Sequence, residues 1–231
     1  MTSIGFAAFA NYSNLTSIEI PRDSRLESIG SAVFLGCYNM RGDNLTGNIT
    51  LPNSLTSIGS AAFLGCSSLA YIEIPRDSRL ESIGDHAFYD CYNMRGGITL
   101  PNSLTSIGAF AFSGCSSLVS IEISSNVTSI GYYAFYGCSS LESIEIPGSV
   151  TSIGNYAFAN CGSLASIVIA NNSSLTSIGS YAFRGCSSLL SIEIPDSVTS
   201  IGSYAFYGCI SLESIEIPDS VTSIGITRAY R

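Results

Sequence analysis

The chain contains no lysine and no tryptophan, and His86 is its single histidine. Only 11% of its 231 residues are charged, with nine arginines against seventeen acidic groups for a net charge of −8. Nucleic acid is excluded as an expected partner, because phosphate neutralisation needs clustered cations. Without lysine there is no phosphate-reaching ammonium for a P-loop. His86, between Asp85 and Asp90, has no Gly-x-Ser-x-Gly or comparable nucleophile setting. Neither an enzyme nor a bound cofactor or metal is expected. No stretch approaches the roughly 20 consecutive apolar residues of a membrane-crossing helix, since Ser, Thr, Gly or Glu interrupts every run. The opening "MTSIGFAAF" has neither a basic segment nor an apolar core, so no secretory signal is visible.

Repetition fills the space these absences leave. Ser-Ile-Gly ends at Gly5, Gly30, Gly59, Gly84, Gly108, Gly131, Gly154, Gly179, Gly202 and Gly225, in steps of 25, 29, 25, 24, 23, 23, 25, 23 and 23 residues. About nine coils of 23–29 residues therefore fill 1–231 as one solenoid, with no clear capping repeat. The added residues fall in loops and leave the apolar frame intact. "EIPRDSRLESIG" recurs at 19–30 and 73–84 and "CYNMRG" at 37–42 and 91–96, both offset by 54, as if two-coil blocks had been duplicated.

The unit 132–154, "YYAFYGCSSLESIEIPGSVTSIG", shows the expected local structure. Alternation in 143–146 predicts a parallel strand with Ile144 and Ile146 inward and Ser143 and Glu145 outward. "VTSIG" predicts a second short extended run, giving one or two strands per coil. "YYAFYGC" has helical spacing and predicts a turn or two of α or 3-10 helix. Gly137 is expected to end that turn and Gly131 to open the corner before it, because glycine accepts positive φ.

The phrase Leu-x-x-Ile-x-Ile-Pro-x-Ser-Val-Thr-Ser-Ile-Gly-x-x-Ala-Phe-x-x-Cys, as from Leu141 to Cys161, resembles the BspA-like, or Treponema pallidum type, leucine-rich repeat family. Departures are local: Tyr12 stands for cysteine in the first unit, Val168 for glutamate and Ala170 for proline in the seventh. The resemblance implies a leucine-rich-repeat solenoid found on bacterial cell surfaces, in secreted proteins and in protists. It also implies adhesion or protein recognition without catalysis, the partner being an extracellular-matrix, host or neighbouring-cell protein, or else a glycan. The alternative is a structural scaffold that packs through its tyrosine row or stacks end to end through uncapped coils.

Eight cysteines, Cys37, Cys66, Cys91, Cys115, Cys138, Cys161, Cys186 and Cys209, share one repeat position. Buried reduced thiols packing as small hydrophobes are the favoured reading. Disulfides between adjacent coils fit by Cα distance, but parallel side chains hold their Cβ atoms near 5 Å instead of about 3.8 Å. Zinc needs converging ligands, and a row does not converge.

The outward rows carry the functional expectation. Between the two inward isoleucine positions stand Glu19, Thr50, Glu73, Thr99, Glu122, Glu145, Val168, Glu193 and Glu216, with Tyr71 as the one large anchor in the preceding small-residue row. This acidic stripe suits a basic protein or divalent cations; as a merely solvated surface it would discourage strand-to-strand aggregation. Phe110, Tyr133, Tyr156, Tyr181 and Tyr204 form an aromatic row, either an interface or a self-covering stack. The loop 41–48 is the most protruding insertion, and Asn44 and Asn48 in it, like Asn11 and Asn14, begin glycosylation triplets.

Overall fold

The computed structural model describes residues 1–41 and 48–225. The chain winds as a parallel coil, and each Ser-Ile pair contributes a two-residue strand to one ten-stranded sheet running from Ser3–Ile4 to Ser223–Ile224. Register is strict: Ser129 faces Ser152 and Ile130 faces Ile153, and the same pairing recurs from coil to coil. A second side carries longer strands in two groups: Asn48–Thr50 with Tyr71–Glu73, and Gly96–Thr99, Leu118–Glu122, Ser143–Ile146 and Ser166–Ile169. Along Ser143–Ile146 exposed and buried residues alternate as expected, with the isoleucines inside.

The third side departs from expectation, because the described residues contain no helix. Tyr133, Phe135 and Gly137 donate their backbone N–H groups to the carbonyls of Asn155, Ala157 and Ala159 in the next coil, at 3.0, 2.8 and 2.8 Å. The intervening Ala134, Tyr136 and Cys138 donate back three residues to Gly131, Tyr133 and Phe135, at 3.2, 3.1 and 3.2 Å. A helix spends its donors within its own segment; here alternate donors cross to the neighbouring coil. That alternation requires left-handed residues, and φ is 56° at Tyr133 and 70° at Gly137.

Gly137 therefore has the positive φ expected of it, whereas Gly131 does not. Gly131 is required by close approach: a Cβ there would lie 2.8 Å from the Gly108 carbonyl carbon and oxygen and from the Ile107 oxygen. The glycine of each Ser-Ile-Gly lets successive coils touch backbone to backbone.

The core is one continuous column. Phe34, Phe63, Phe88, Phe112, Phe135, Phe158 and Phe183 are fully buried, with consecutive ring centroids 5.2–5.5 Å apart. One coil buries its apolar side chains only against its neighbours, so the stack folds as an array.

Candidate binding surfaces

All eight cysteines lie inside this column as free thiols. Each donates its S–H to the phenylalanine carbonyl of the preceding coil: Cys138 to Phe112, Cys161 to Phe135 and Cys186 to Phe158, each at 3.2 Å. The same Phe135 oxygen also accepts the Cys138 N–H. Cysteine thus occupies a methyl-sized apolar site while supplying a weak donor to a buried carbonyl. Burial pushes the thiols up, Cys138 to about 12 and Cys209 to about 11, against the weaker opposing effect of a backbone hydrogen bond. Such thiols are neither nucleophiles nor ready metal ligands. His86 sits in the turn face with φ of 57° and stacks on Phe110 at 4.6 Å, as a member of the aromatic row.

The acidic stripe is not uniform. Arg22 makes a two-pronged ion pair with Glu73, at 3.0 and 2.8 Å, reaching across the coil that carries Thr50. Thr50 Oγ1 also donates to Glu73, at 2.9 Å. One block later the arrangement repeats: Arg76 pairs with Glu122 across the coil of Thr99, whose hydroxyl donates to Glu122 at 3.3 Å. Among the described residues these are the two ion pairs between side chains. Glu145, Glu193 and Glu216 are exposed carboxylates in a stretch where, between residues 98 and 225, Arg184 is the one basic residue. Arg184 lies on another side, 5.9 Å from the Tyr181 ring and 6.0 Å from that of Tyr207.

The expected set is therefore split by the structure. Glu73 and Tyr71 border one depression of about 370 Å³, with Asn48, Arg76, Gly97 and Thr99. Tyr71 packs against Gly96, beside the Gly96/Gly97 register shift, and the Arg95 guanidinium lies 6.0 Å from its ring. Glu122 and Glu145 share a second depression of about 270 Å³ with Arg76 and Asn102. Glu145 is level with Val168, and the Ser166 to Ser191 bridge carries the register on to Glu193. Glu19, Glu193 and Glu216 lie in coils where this side forms no regular strand. In the loop 41–48, residues 42–47 with Asn44 lie outside the described residues, while Asn48 opens a strand.

A neighbouring row lies outside those legible in the sequence. Successive backbone hydrogen bonds, Glu142 N to Val119 O, Ala165 N to Glu142 O and Leu190 N to Ala165 O, align these residues at 3.1, 2.9 and 3.4 Å. Leu190 and Val168 are 58% and 54% exposed, so apolar side chains stand in the middle of the carboxylate field. The signal in the sequence was an apolar residue one place before the outward serine, as in Val119 and Leu190.

On the turn face, Tyr133, Tyr156, Tyr181 and Tyr204 stack in order at 4.5, 4.6 and 5.0 Å, and Phe110 caps Tyr133 at 4.8 Å. Ring faces are spent on one another, and the side chains are half-buried. The Tyr133 phenol is pushed well above the ordinary range, by burial first and then by its hydrogen bond with Tyr132.

Parallel coils, a glycine-mediated backbone contact and a cysteine ladder define a leucine-rich-repeat solenoid. The model of the BspA type leucine-rich repeat region matches residues 2–96, 81–175 and 153–229, and the chain belongs to that family. The fold resembles the crystal structure of a T. pallidum leucine-rich repeat protein, at 26% identity and a TM-score of 0.63 over 91% of this chain and 82% of that one. A Bacteroides ovatus leucine-rich repeat protein is 27% identical, with a TM-score of 0.53 over 97% and 78% of the two chains. A leucine-rich cell surface protein of Faecalibacterium prausnitzii is 26% identical, with a TM-score of 0.52 over 99% and 84%. Comparison with curated proteins gives no match.

Proposed function

We propose that the chain is a non-catalytic recognition module of the cell-surface adhesion type, which holds a basic segment of a protein partner against its strand face between residues 119 and 216. The observation that carries this reading is the contrast along the acidic stripe. Glu73 and Glu122 already have arginine partners, while Glu145, Glu193 and Glu216 stand exposed around Val168 and Leu190. An exposed apolar centre with a charged rim is the usual anatomy of a protein interface. Exposed carboxylates select a Lys/Arg-bearing partner and speed its approach. The F. prausnitzii relative, described as a cell surface protein, agrees with this setting.

The test is binding of a peptide that alternates lysine with leucine, measured against its glutamate counterpart. Reversing Glu145, Glu193 and Glu216 to lysine is expected to abolish binding with the circular dichroism spectrum unchanged, and V168S with L190S to weaken it about tenfold or more. Reversing Asp23, Glu27 and Glu81 to lysine, outside this field, makes the same change in net charge and is expected to leave binding nearly unchanged. Arg76→Ala, which frees Glu122, is expected to tighten binding. Equal losses in the control and the field variants would sink the proposal, because the attraction would then be merely global.

A further inference from the structure

The tyrosine row has a chemistry that recognition does not use. Four phenol rings lie nearly parallel, at 4.5 Å and 13° for Tyr133 with Tyr156, 4.6 Å and 8° for Tyr156 with Tyr181, and 5.0 Å and 16° for Tyr181 with Tyr204. Their backbones are pinned in register: Tyr133 N donates to Asn155 O, Tyr156 N to Ser180 O and Tyr181 N to Ser203 O, at 3.0, 2.9 and 2.9 Å. Each ring thus meets the equivalent ring of the next coil and is held there by the ladder beneath it. The side chains are half-buried, so part of each remains accessible to a small oxidant.

We infer that Tyr133, Tyr156, Tyr181 and Tyr204 form a modification site at which a peroxidase with hydrogen peroxide couples neighbouring rings into dityrosine. Each of two phenols gives up one electron and its hydroxyl proton, and the hydrogen peroxide takes both pairs to become two water molecules. The two phenoxyl radicals join by a carbon–carbon bond between ring positions ortho to oxygen. The hydrogen displaced from each joined carbon returns, through solvent, to its phenolic oxygen, so that both hydroxyls are restored. The product has lost two hydrogen atoms. Radical pairs normally depend on collision, whereas here the partner is already in contact, the advantage of any preassembled bimolecular step. Phe110 bounds the row on one side, because its ring has no phenolic proton to lose. Coupling Tyr156 to Tyr181 would staple two adjacent coils, in the way a cross-link restrains the unfolded chain.

Other tyrosines are better exposed but lack this arrangement. Tyr12, Tyr38 and Tyr92 are 60%, 54% and 47% exposed and have no tyrosine ring stacked on them. Random phenol coupling would use these first and join separate molecules. Coupling within the row instead joins one molecule to itself.

The full chain, dilute and folded, is treated with peroxidase and hydrogen peroxide and followed by dityrosine fluorescence, denaturing electrophoresis and peptide mapping. The expected result is a monomeric product two mass units lighter, with the link mapped between peptides carrying Tyr133, Tyr156, Tyr181 or Tyr204, and a raised thermal midpoint. The double variant Tyr156→Phe with Tyr181→Phe keeps the stack but leaves no adjacent pair of phenols in the row. Tyr132 and Tyr136, with ring centroids 4.2 and 5.1 Å from that of Tyr133, and Tyr207, 5.9 Å from Tyr204, remain phenols within single coils, so the readout is the link between coils. That inter-coil dityrosine is expected to fall at least about fivefold in the double variant. The urea-unfolded chain is expected to lose the row-specific link. Links mapping to Tyr12, Tyr38 or Tyr92, links confined to single coils, dimers as the main product, or undiminished inter-coil dityrosine in the double variant would overturn the inference.

Discussion

Two residues beyond each Ser-Ile-Gly glycine, the first coils carry Ala7, Ala32 and Ala61, whereas later coils carry Tyr133, Tyr156, Tyr181 and Tyr204, yet all seven share φ values from 52° to 58°. The strand faces of the same two regions differ as well. Six of the nine arginines lie between residues 22 and 95, where Arg22 and Arg76 send their side chains to Glu73 and Glu122; between 98 and 225 there is Arg184 alone. The backbone is thus indifferent to what decorates it. Left-handed φ at a residue with a Cβ is imposed by the hydrogen bonds that cross between coils, and in the later coils ring stacking offsets part of the strain. Decoration, free of the folding requirement, is where the two halves specialise.

The largest expected effect concerns what the halves share. The eight thiols are protonated inside the column, and their folded pKa values lie above the unfolded one because burial penalises the thiolate. A raised acid contributes its full stability below the unfolded value, near 8.5. Above that pH the unfolded chain releases protons that the folded chain retains, so stability falls as pH rises. At about pH 10 each buried thiol is expected to cost on the order of 2 kcal/mol, enough in sum to unfold the chain. A urea midpoint flat from about pH 6 to 8 and falling steeply above about pH 9 is the expected result. If the midpoint holds through pH 10, or falls equally when Cys115, Cys138 and Cys161 are replaced by alanine, the thiols are not responsible.

Next in size is the backbone contact. Gly59→Ala places a Cβ 2.5 Å from Gly30 C and Gly154→Ala places one 2.7 Å from Gly131 C, so both halves are expected to lose about 3 kcal/mol or more. Gly5, with nothing within 4 Å, is the internal control, and Gly5→Ala is expected to change stability by less than about 0.5 kcal/mol. Equal urea midpoints for the Gly154→Ala and Gly5→Ala variants would show that the coils have room to separate.

These two cases also show which parts of the architecture could be read from the residues alone. Period, parallel winding and inward isoleucines were legible because a register error would turn Ile144 and Ile146 outward. The turn face is not legible in this way, because "YYAFYGC" satisfies helical spacing equally well. The distinction lies in which carbonyl accepts each N–H, and side chains seldom record that. A clue was present: Asn11, Asp90 and Asn160, with φ of 62°, 58° and 61°, replace the glycine before the cysteine position, which Tyr12 fills in the first coil, and Asn and Asp tolerate left-handed backbone. The acidic row was legible as a row, since Glu19, Glu73, Glu122, Glu145, Glu193 and Glu216 occupy the same place in their coils. Which of its carboxylates take arginine partners was not, because Arg22 and Arg76 skip a coil, with separations of 51 and 46 residues that fit no local rule.

The smallest effect separates strain from stacking most directly. Ala61 and Tyr156 have the same φ of 56°, so replacing either with glycine removes the same backbone penalty. Glycine also enlarges the unfolded ensemble by about 0.4–1 kcal/mol, which offsets most of the gain. At Ala61, whose side chain is a single methyl, the balance is expected to fall between zero and about 0.5 kcal/mol of stabilisation. Tyr156 has rings on both sides, at 4.5 Å from Tyr133 and 4.6 Å from Tyr181, and loses both stacks. Aromatic pairs contribute about 0.5–1.5 kcal/mol each beyond their buried area, so Tyr156→Gly is expected to destabilise by at least about 1 kcal/mol. Opposite signs for the two substitutions in urea unfolding would show that the later coils use the row to hold a conformation that the earlier coils tolerate without it. Equal signs would mean that the rings merely follow the ladder and add nothing to it.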